Sequence, residues 1–200
     1  MARIAVLASG SGTNLQALLD DEVVGPQVVL VVSDRPEARA LRRARDHEVA
    51  TVVVEPSGFP SREEFDDAAA AVLEDAHVDV VVLAGFMRVL GPGFIRRFAG
   101  GIVNVHPALL PSFPGAHAVQ DAMDYGVKVT GVTVHLVDEG VDTGPIILQE
   151  PVEVRDGEDW DALEKRIHEV EHRLLPRAVR AMAEGRVVVD GRTVRIKEEA

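Results

Sequence analysis

The sequence predicts an α/β fold in which helices cover both faces of a doubly wound, mostly parallel sheet. One observation is the alternation of apolar strand runs with helical patterns through the first half of the chain, a βαβ rhythm. Another is that four of these strand runs are apolar throughout, as expected for parallel strands that are buried on both faces. The third is the length of 200 residues, from which we expect residues 1–200 to form a single domain.

The elements of the first half follow in chain order. The predicted strands are Arg3–Leu7, Gln27–Val32, Ala50–Val54 and Val78–Ala84. Helical spacing of apolar residues predicts helices at Leu15–Leu19, Pro36–His47 and Phe65–Ala76. Ser61 and Glu64 stand three residues apart before the third helix, which is the pattern of a capping box.

The second half is more varied. Its predicted strands are Gly101–Val105, Val127–Val137 and Ile146–Val154, and its predicted helices are Ala116–Tyr125 and Asp159–Glu184. The long last helix is amphipathic and carries one apolar stripe, formed by Leu163, Ile167, Val170, Leu174 and Ala178. The chain then forms a predicted hairpin, in which Asp190-Gly191 is a two-residue turn between β-branched runs.

Composition argues against several classes of protein. Cysteine is absent, so the chain has no disulfide framework, thiol nucleophile or thiolate zinc site. With 21 basic and 33 acidic residues the net charge is −12, which argues against nucleic acid or an anionic membrane as a partner. Neither a signal peptide nor a membrane-spanning run is visible. We therefore expect a cytoplasmic protein with small-molecule partners, either a monomer or a homodimer.

A glycine-rich loop, Ser9–Asn14, joins the first strand to the first helix. Its glycines allow close approach of the backbone to a ligand, and the helix that follows directs free N–H groups toward the loop. The loop matches neither the dinucleotide-binding glycine pattern nor a Walker loop. It is either a site for a phosphate group or an ordinary, well-capped turn.

The fifth strand ends in Asn104-Val105-His106-Pro107. Alternation places Asn104 and His106 on one side of the strand, at the sheet edge where doubly wound folds bind ligands. An amide donor and an imidazole there could stabilise an oxyanion and move a proton. The alternative is a pair of capping residues in a proline-rich turn.

An acidic loop and a helical motif remain open to more than one interpretation. The loop Asp138–Gly144 lacks the spacing of an EF-hand, so it is either a solvated turn or the source of a carboxylate that tunes a histidine. His168-Glu169-Val170-Glu171-His172 matches the H-E-x-x-H pattern of zinc proteases. On a helix, however, both histidines lie about 100–140° from the buried Ile167, whereas Glu171 lies only about 40° from it. This geometry disfavours zinc.

Four segments carry a resemblance to a known family: Ala8–Leu15, Ala84–Leu90, Asn104–Gly115 and Gly131–Gln149. The Asn-x-His-Pro segment and the Asp-x-Gly-x-Asp-x-Gly loop resemble the folate-dependent formyltransferases. The Ser9–Asn14 loop is similar to that of the members that use glycinamide ribonucleotide, the phosphoribosylglycinamide formyltransferases. The resemblance covers essentially the whole chain. It implies the formyltransferase fold and, as activity, formyl transfer from 10-formyltetrahydrofolate to the amine of glycinamide ribonucleotide in purine biosynthesis.

The resemblance also implies roles for individual residues, with no metal. The catalytic trio would be Asn104, His106 and Asp142. The ribonucleotide would be bound by Gly12, Thr13, Asn14, His168 and Glu171, with His168 in a position where the family leads us to expect Gln. The folate would be bound by Arg62, Met87, Arg88, Val89, Leu90, Asn104, Glu139, Gly140, Val141 and Asp142, with Leu83 and Phe86 as walls of the pterin pocket.

Three other functions remain as alternatives at this point. One is a formyltransferase that acts on a different sugar or nucleotide amine. Another is a zinc hydrolase that uses His168 and His172. The third is a non-catalytic protein that binds a phosphate ligand at the Ser9–Asn14 loop.

Overall fold

Seven strands form the main sheet of the computed structural model, which describes residues 1–198. They are β1 (Ile4–Leu7), β2 (Val28–Ser33), β3 (Ala50–Val53), β4 (Val80–Leu83), β5 (Ile102–His106), β6 (Val129–Leu136) and β7 (Ile146–Glu153). Their order across the sheet is β3-β2-β1-β4-β5-β6-β7. The first five strands pair in parallel, whereas β6 and β7 pair antiparallel. The predicted fold class, a mostly parallel doubly wound sheet, is confirmed.

Six α-helices pack against this sheet among the described residues. They are α1 (Thr13–Leu19), α2 (Arg39–Asp46), α3 (Arg62–Asp75), α4 (Pro92–Arg97), α5 (Ala118–Tyr125) and α6 (Trp160–Ala183). Buried residues of α1, α2, α5 and α6 belong to one apolar cluster, and those of α3 and α4 belong to a second. Neighbouring residues of one strand divide between the clusters, as Val6 and Leu7 of β1 do. Helices therefore cover both faces of the sheet, as predicted.

Local hydrogen bonds explain where two of the helices begin. Ser61 accepts a hydrogen bond from the backbone N–H of Glu64 at 3.2 Å, so the predicted cap of α3 is formed. Helix α2, in contrast, begins at Arg39 and not at the predicted Pro36. The reason is that the Ala38 N–H first closes a turn onto the carbonyl of Arg35 at 3.2 Å.

The C-terminal hairpin consists of β8 (Val187–Asp190) and β9 (Thr193–Ile196). Asp190 pairs with Thr193, so the two turn residues are Gly191 and Arg192. The predicted turn at Asp190-Gly191 is therefore wrong by one residue. Gly191 has φ of 58°, a left-handed conformation that glycine adopts without steric cost, and this conformation sets the position of the turn.

The loops that follow β1 and β4 meet at the carboxyl edge of the sheet. The N–H of Ser9, after β1, donates to the carbonyl of Gly85, after β4, at 3.1 Å. Strand β5 ends beside them at His106, because β4 and β5 are parallel neighbours. The three segments with candidate chemistry thus share one edge of the sheet. Within residues 1–198 no helix combines the length and apolar character needed to cross a membrane.

Candidate active site

Asn104 and His106 both reach the carboxylate of Asp142. The Asn104 amide nitrogen lies 3.5 Å from Oδ1 of Asp142. Nδ1 of His106 lies 3.5 Å from Oδ2 of the same carboxylate. The trio suggested by the resemblance is therefore one spatial cluster, although Asp142 is 38 residues from Asn104 in the chain.

Asp142 occupies the centre of this cluster. Its Oδ2 accepts a hydrogen bond from the N–H of Gly115 at 2.8 Å, and its side chain is only 13% exposed. Its backbone has φ of 54°, the left-handed region that is unfavourable for a residue other than glycine. Such strain is common at functional sites, where the surrounding structure holds a side chain in a required position.

Burial alone would raise the pKa of Asp142. The contact with His135, the N–H of Gly115 and the charge of His106 act in the opposite direction, and the net effect is a pKa below the ordinary value. Asp142 is therefore a carboxylate at neutral pH. It presents a fixed negative charge to the two imidazole rings beside it.

His106 is oriented by the loop that follows β5. Its Nε2 lies 2.8 Å from the carbonyl oxygen of Phe113. Because a carbonyl can only accept, Nε2 must carry a proton. The other nitrogen, Nδ1, then faces Asp142 and is free to take up or release a second proton. Phe113 itself has φ of 53°, so this loop too is held in an unusual conformation.

His135 is a fourth polar member of the cluster, which the sequence interpretation missed. It lies on β6 directly opposite Asn104 of β5. Its Nδ1 contacts the carbonyl of Leu136 at 2.8 Å, and its Nε2 lies 3.2 Å from the Asn104 amide nitrogen and 3.6 Å from Oδ1 of Asp142. With Nδ1 bonded to a carbonyl, Nε2 is the atom that His135 directs at Asn104 and Asp142, and this contact fixes the position of the Asn104 amide.

A cavity of about 240 Å³ opens beside the cluster. It lies between the loop after β4 and the acidic loop after β6. Its lining residues are Leu83, Gly85, Phe86, Met87, Arg88, Val89, Leu90, Ile95, Asn104, Val105, His106, Pro107, Gly115, Ala116, His135, Val137, Asp138, Gly140, Val141 and Asp142. Most of the residues that the resemblance assigned to folate are among them.

Two of the assigned folate residues lie outside this lining. Arg62 pairs with Asp66, with Nε 3.7 Å from Oδ2. The Glu139 carboxylate pairs with Arg96 at 3.0 Å on the surface. The side chains of Arg62 and Glu139 thus bind neighbouring protein groups, so the structure does not bring them to the cavity wall.

The acidic loop owes its shape to Asp138. Oδ1 of this residue accepts hydrogen bonds from the Thr143 hydroxyl at 2.6 Å and from the Gly140 N–H at 3.1 Å. Gly140 permits the tight path, because a Cβ at this position would lie 2.0 Å from the Thr143 hydroxyl oxygen. The carboxylate of Asp138 therefore organises the loop, and Asp142 is the acid that it presents to the histidines.

The residues of the Ser9–Asn14 loop have different structural roles. Ser9 is buried, and its hydroxyl accepts the N–H of Met87 at 2.9 Å, so this hydroxyl is not directed at a ligand. Gly12 has φ of 70°, and a Cβ there would lie 2.7 Å from the Cα of Ala40. The packing of α2 against the loop thus requires Gly12. Asn14 donates to Glu171 at 2.9 Å, which connects the loop to α6.

Glu171 lies on the inner side of α6, as the helical angles predicted, and is 4% exposed. Its Oε2 accepts hydrogen bonds from Asn14 and from Nδ1 of His168, the latter at 2.8 Å. No hydrogen bond from residues 1–198 reaches its other oxygen, Oε1. One carboxylate oxygen is therefore left to accept a hydrogen bond from a bound molecule.

The two histidines of the H-E-x-x-H motif are half-buried and stack, with ring centroids 6.0 Å apart. The hydrogen bond to Glu171 raises the pKa of His168, whereas burial lowers the pKa of His172. Among residues 1–198 no group of three or more potential ligands is arranged to hold a metal ion. His168 instead joins Asn14 and Glu171 in one hydrogen-bonded set.

The amide, imidazole and carboxylate beside the cavity define a site that can stabilise an oxyanion and move a proton, as an enzyme does. Residues 2–179 match the model of the formyl transferase family, and the chain belongs to that family.

Relatives within the family are similar over nearly the whole chain. A "Phosphoribosylglycinamide formyltransferase" of Mycobacterium tuberculosis is 52% identical over 96% of this chain and 90% of its own length. The crystal structure of "glycinamide ribonucleotide transformylase 1 from Symbiobacterium toebii" has 49% identity and a TM-score of 0.96, and the match covers 99% of this chain and 95% of that one. The human "Trifunctional purine biosynthetic protein adenosine-3" is 42% identical over 99% of this chain, which corresponds to 20% of that protein.

Proposed function

We propose that this chain transfers a formyl group from 10-formyltetrahydrofolate to the amine of glycinamide ribonucleotide, which yields formylglycinamide ribonucleotide and tetrahydrofolate in purine biosynthesis. The observation that carries the proposal is the convergence of Asn104, His106 and Asp142 at one cavity, in a chain of the formyl transferase family. The relatives from Mycobacterium tuberculosis and Symbiobacterium toebii are named for the same activity.

Asn104 supplies the hydrogen bond that stabilises the formyl oxygen during transfer. Negative charge collects on the formyl oxygen as the amine adds to the formyl carbon. Nε2 of His135 at 3.2 Å and Oδ1 of Asp142 at 3.5 Å hold the Asn104 amide nitrogen in place. In the reaction, a hydrogen of this amide is donated to the formyl oxygen instead of to the longer contact with Asp142. A donor held in advance by its neighbours stabilises developing charge without reorganisation.

His106 and Asp142 move the proton. The amine must lose a proton and the folate nitrogen must gain one. His106 is held through Nε2 by Phe113, so Nδ1 is the atom that exchanges protons. The carboxylate of Asp142 lies 3.5 Å from Nδ1 and stabilises the positive charge when that atom is protonated.

The folate binds in the cavity between the two loops. Within the described chain, the backbone N–H groups of Arg88, Val89 and Leu90 make no hydrogen bond, so they are available to the polar edge of a pterin. Met87 and Val141 line the same cavity and are 62% and 50% exposed, so their apolar side chains are accessible to a ligand. They provide an apolar surface for a flat aromatic ring.

The ribonucleotide binds at the neighbouring loop, where Gly12, Thr13 and Asn14 begin α1. Backbone N–H groups in the first turn of a helix have no partner within the helix and suit a phosphate. Glu171 offers its free Oε1 to a ribose hydroxyl, while His168 contributes positive charge when protonated.

Incubation with 10-formyltetrahydrofolate, with and without glycinamide ribonucleotide, tests the proposal. We expect tetrahydrofolate to form only when the ribonucleotide is present, together with one equivalent of formylglycinamide ribonucleotide identified by mass spectrometry. Other sugar and nucleotide amines serve as competing acceptors. Faster transfer to one of these amines, or release of tetrahydrofolate without any acceptor, would contradict the assignment.

A further inference from the structure

The cavity loop from Gly85 to Gly91 is held in place by residues that do not line the cavity. It connects β4 to α4 and lies outside both elements. Its central N–H groups, from Arg88 to Leu90, have no partner among residues 1–198. A loop whose polar groups are left for a ligand needs another source of rigidity, because its own backbone hydrogen bonds do not supply it.

Asp66 provides one support at the end of the loop. Its Oδ2 accepts the N–H of Gly91 at 2.7 Å, and the residue is only 5% exposed. The fit is close, since a Cβ on Gly91 would lie 2.8 Å from the same oxygen. The adjacent Phe65 adds a second contact, because the Arg88 guanidinium carbon lies 4.7 Å from the centre of its ring. Helix α3 thus supports the loop through two neighbouring side chains.

Ser9 provides the other support, at the start of the loop. Its hydroxyl accepts the N–H of Met87 at 2.9 Å, and its own N–H donates to the carbonyl of Gly85 at 3.1 Å. Ser9 lies in the loop after β1 and Asp66 lies on α3, and the two residues bind the loop on either side of its three free N–H groups. The unpaired segment is therefore fixed at both ends.

We propose that Asp66, together with Ser9, is a positioning residue for the folate: it holds the loop so that the N–H groups of Arg88, Val89 and Leu90 face the cavity. The inference rests on the proposed function, because that function identifies folate as the molecule that this loop recognises. It also explains Arg62, which the resemblance placed against the folate. The contact of Arg62 with Asp66, at 3.7 Å, makes it a neighbour of the support.

The consequence of losing the support is specific to one substrate. Without the carboxylate, the N–H of Gly91 is left without its partner, and the loop shifts to satisfy it. A hydrogen bond to a charged group of this kind corresponds to about a 10- to 100-fold change in an equilibrium constant. We therefore expect Asp66→Ala to raise the KM for 10-formyltetrahydrofolate by about that factor. The KM for the ribonucleotide should stay unchanged.

The conservative variant separates positioning from a general effect on folding. Burial raises the pKa of Asp66. The contact does not depend on the charge, because a neutral carboxyl group also has an oxygen that can accept the Gly91 N–H. Asp66→Asn keeps such an oxygen and should restore most of the folate affinity. A residue that only stabilised the fold would change the amount of active enzyme, and hence the apparent kcat, without changing the KM for one substrate alone.

The matched control is Asp67→Ala on the same helix. Asp67 is exposed and pairs with Arg97 at 3.1 Å, so the substitution removes an acid of α3 that has no contact with the loop. Both KM values should match those of the unmodified enzyme. Calorimetric titration with 10-formyltetrahydrofolate, in the absence of ribonucleotide, measures the folate affinity of each variant independently of turnover.

Ser9→Ala is the second test and applies even if Asp66→Ala does not fold. It removes a neutral hydrogen bond at the other end of the loop, and the expected rise in the folate KM is about 2- to 10-fold. Equal increases in both KM values, or a change confined to the ribonucleotide, would overturn the inference. The proposed function is tested separately with the unmodified enzyme, and absence of formyl transfer there refutes that function. If the unmodified enzyme is active and the variants have the same KM for 10-formyltetrahydrofolate, only the role of Asp66 and Ser9 is refuted.

Discussion

Gly12→Ala is expected to destabilise the protein mainly through the packing of α2. Gly12 has φ of 70°, and a left-handed conformation costs a residue with a Cβ about 1–2 kcal/mol. The new Cβ would also lie 2.7 Å from the Cα and 2.8 Å from the Cβ of Ala40, where no flexible side chain can move away. Displacing a packed helix costs about 1–3 kcal/mol more. The total, about 2–5 kcal/mol, is a large part of the usual stability of about 5–15 kcal/mol.

Gly10→Ala is the matched control, two residues earlier in the same loop. Gly10 does not have a positive φ, and a Cβ there meets nothing within 4 Å. Thermal unfolding is the assay. For a chain of this size about 1 kcal/mol shifts Tm by roughly 2–4 °C, so Gly12→Ala should lower Tm by about 5–20 °C and Gly10→Ala by far less. Equal Tm values for the two variants would refute the packing argument.

Three further predictions concern residues of the candidate site. Asn104→Ala should lower kcat by about 10²–10³ with little effect on either KM, and steady-state kinetics that show full activity would exclude the oxyanion role. The pKa of Asp142 is lowered in the folded state, so its charge stabilises the fold at pH values above its ordinary pKa. This contribution is lost as the pH falls through the lowered pKa. The Tm of Asp142→Asn should therefore lie below that of the unmodified protein at pH 7, and the difference should shrink at acid pH. The pKa of His168 is raised, so its pairing with Glu171 stabilises the fold below the ordinary pKa of histidine, and this contribution is lost as the pH rises through the raised pKa. The Tm difference between the unmodified protein and His168→Gln should therefore fall with rising pH. A difference that does not fall would exclude the pairing.

Local sequence patterns were sufficient for most of the fold. Apolar runs located the strands, and the helical period placed the acidic residue Glu171 on the side of α6 that faces the protein core. Two boundaries were wrong for local reasons. A turn from Arg35 to Ala38 delays α2, and the positive φ of Gly191 moves the hairpin turn by one residue.

The contacts of polar side chains were less predictable than the strands and helices. Ser9 and Asn14 belong to one short loop, which the sequence interpretation considered as a site for a phosphate group. The structure directs the Ser9 hydroxyl to Met87 and the Asn14 amide to Glu171, each on a distant segment. The partner of a side chain depends on which segments the fold brings near it, and the local sequence does not contain that information.

His135 illustrates the same limit at the centre of the site. The sequence places it in a strand, but its proximity to Asn104 depends on β6 pairing antiparallel with β5 in one particular register. A shift of one residue would turn His135 to the opposite face of the sheet.

The change from parallel to antiparallel pairing at β5 is what assembles the cluster. Strand β5 delivers Asn104 and His106 to the sheet edge, β6 returns past them with His135, and the loop after β6 then folds back to place Asp142 between the two imidazoles. A further parallel strand would have required a crossover and would have carried the chain away from this edge. The reversal of strand direction is therefore the structural reason that these residues, far apart in the sequence, meet at one cavity.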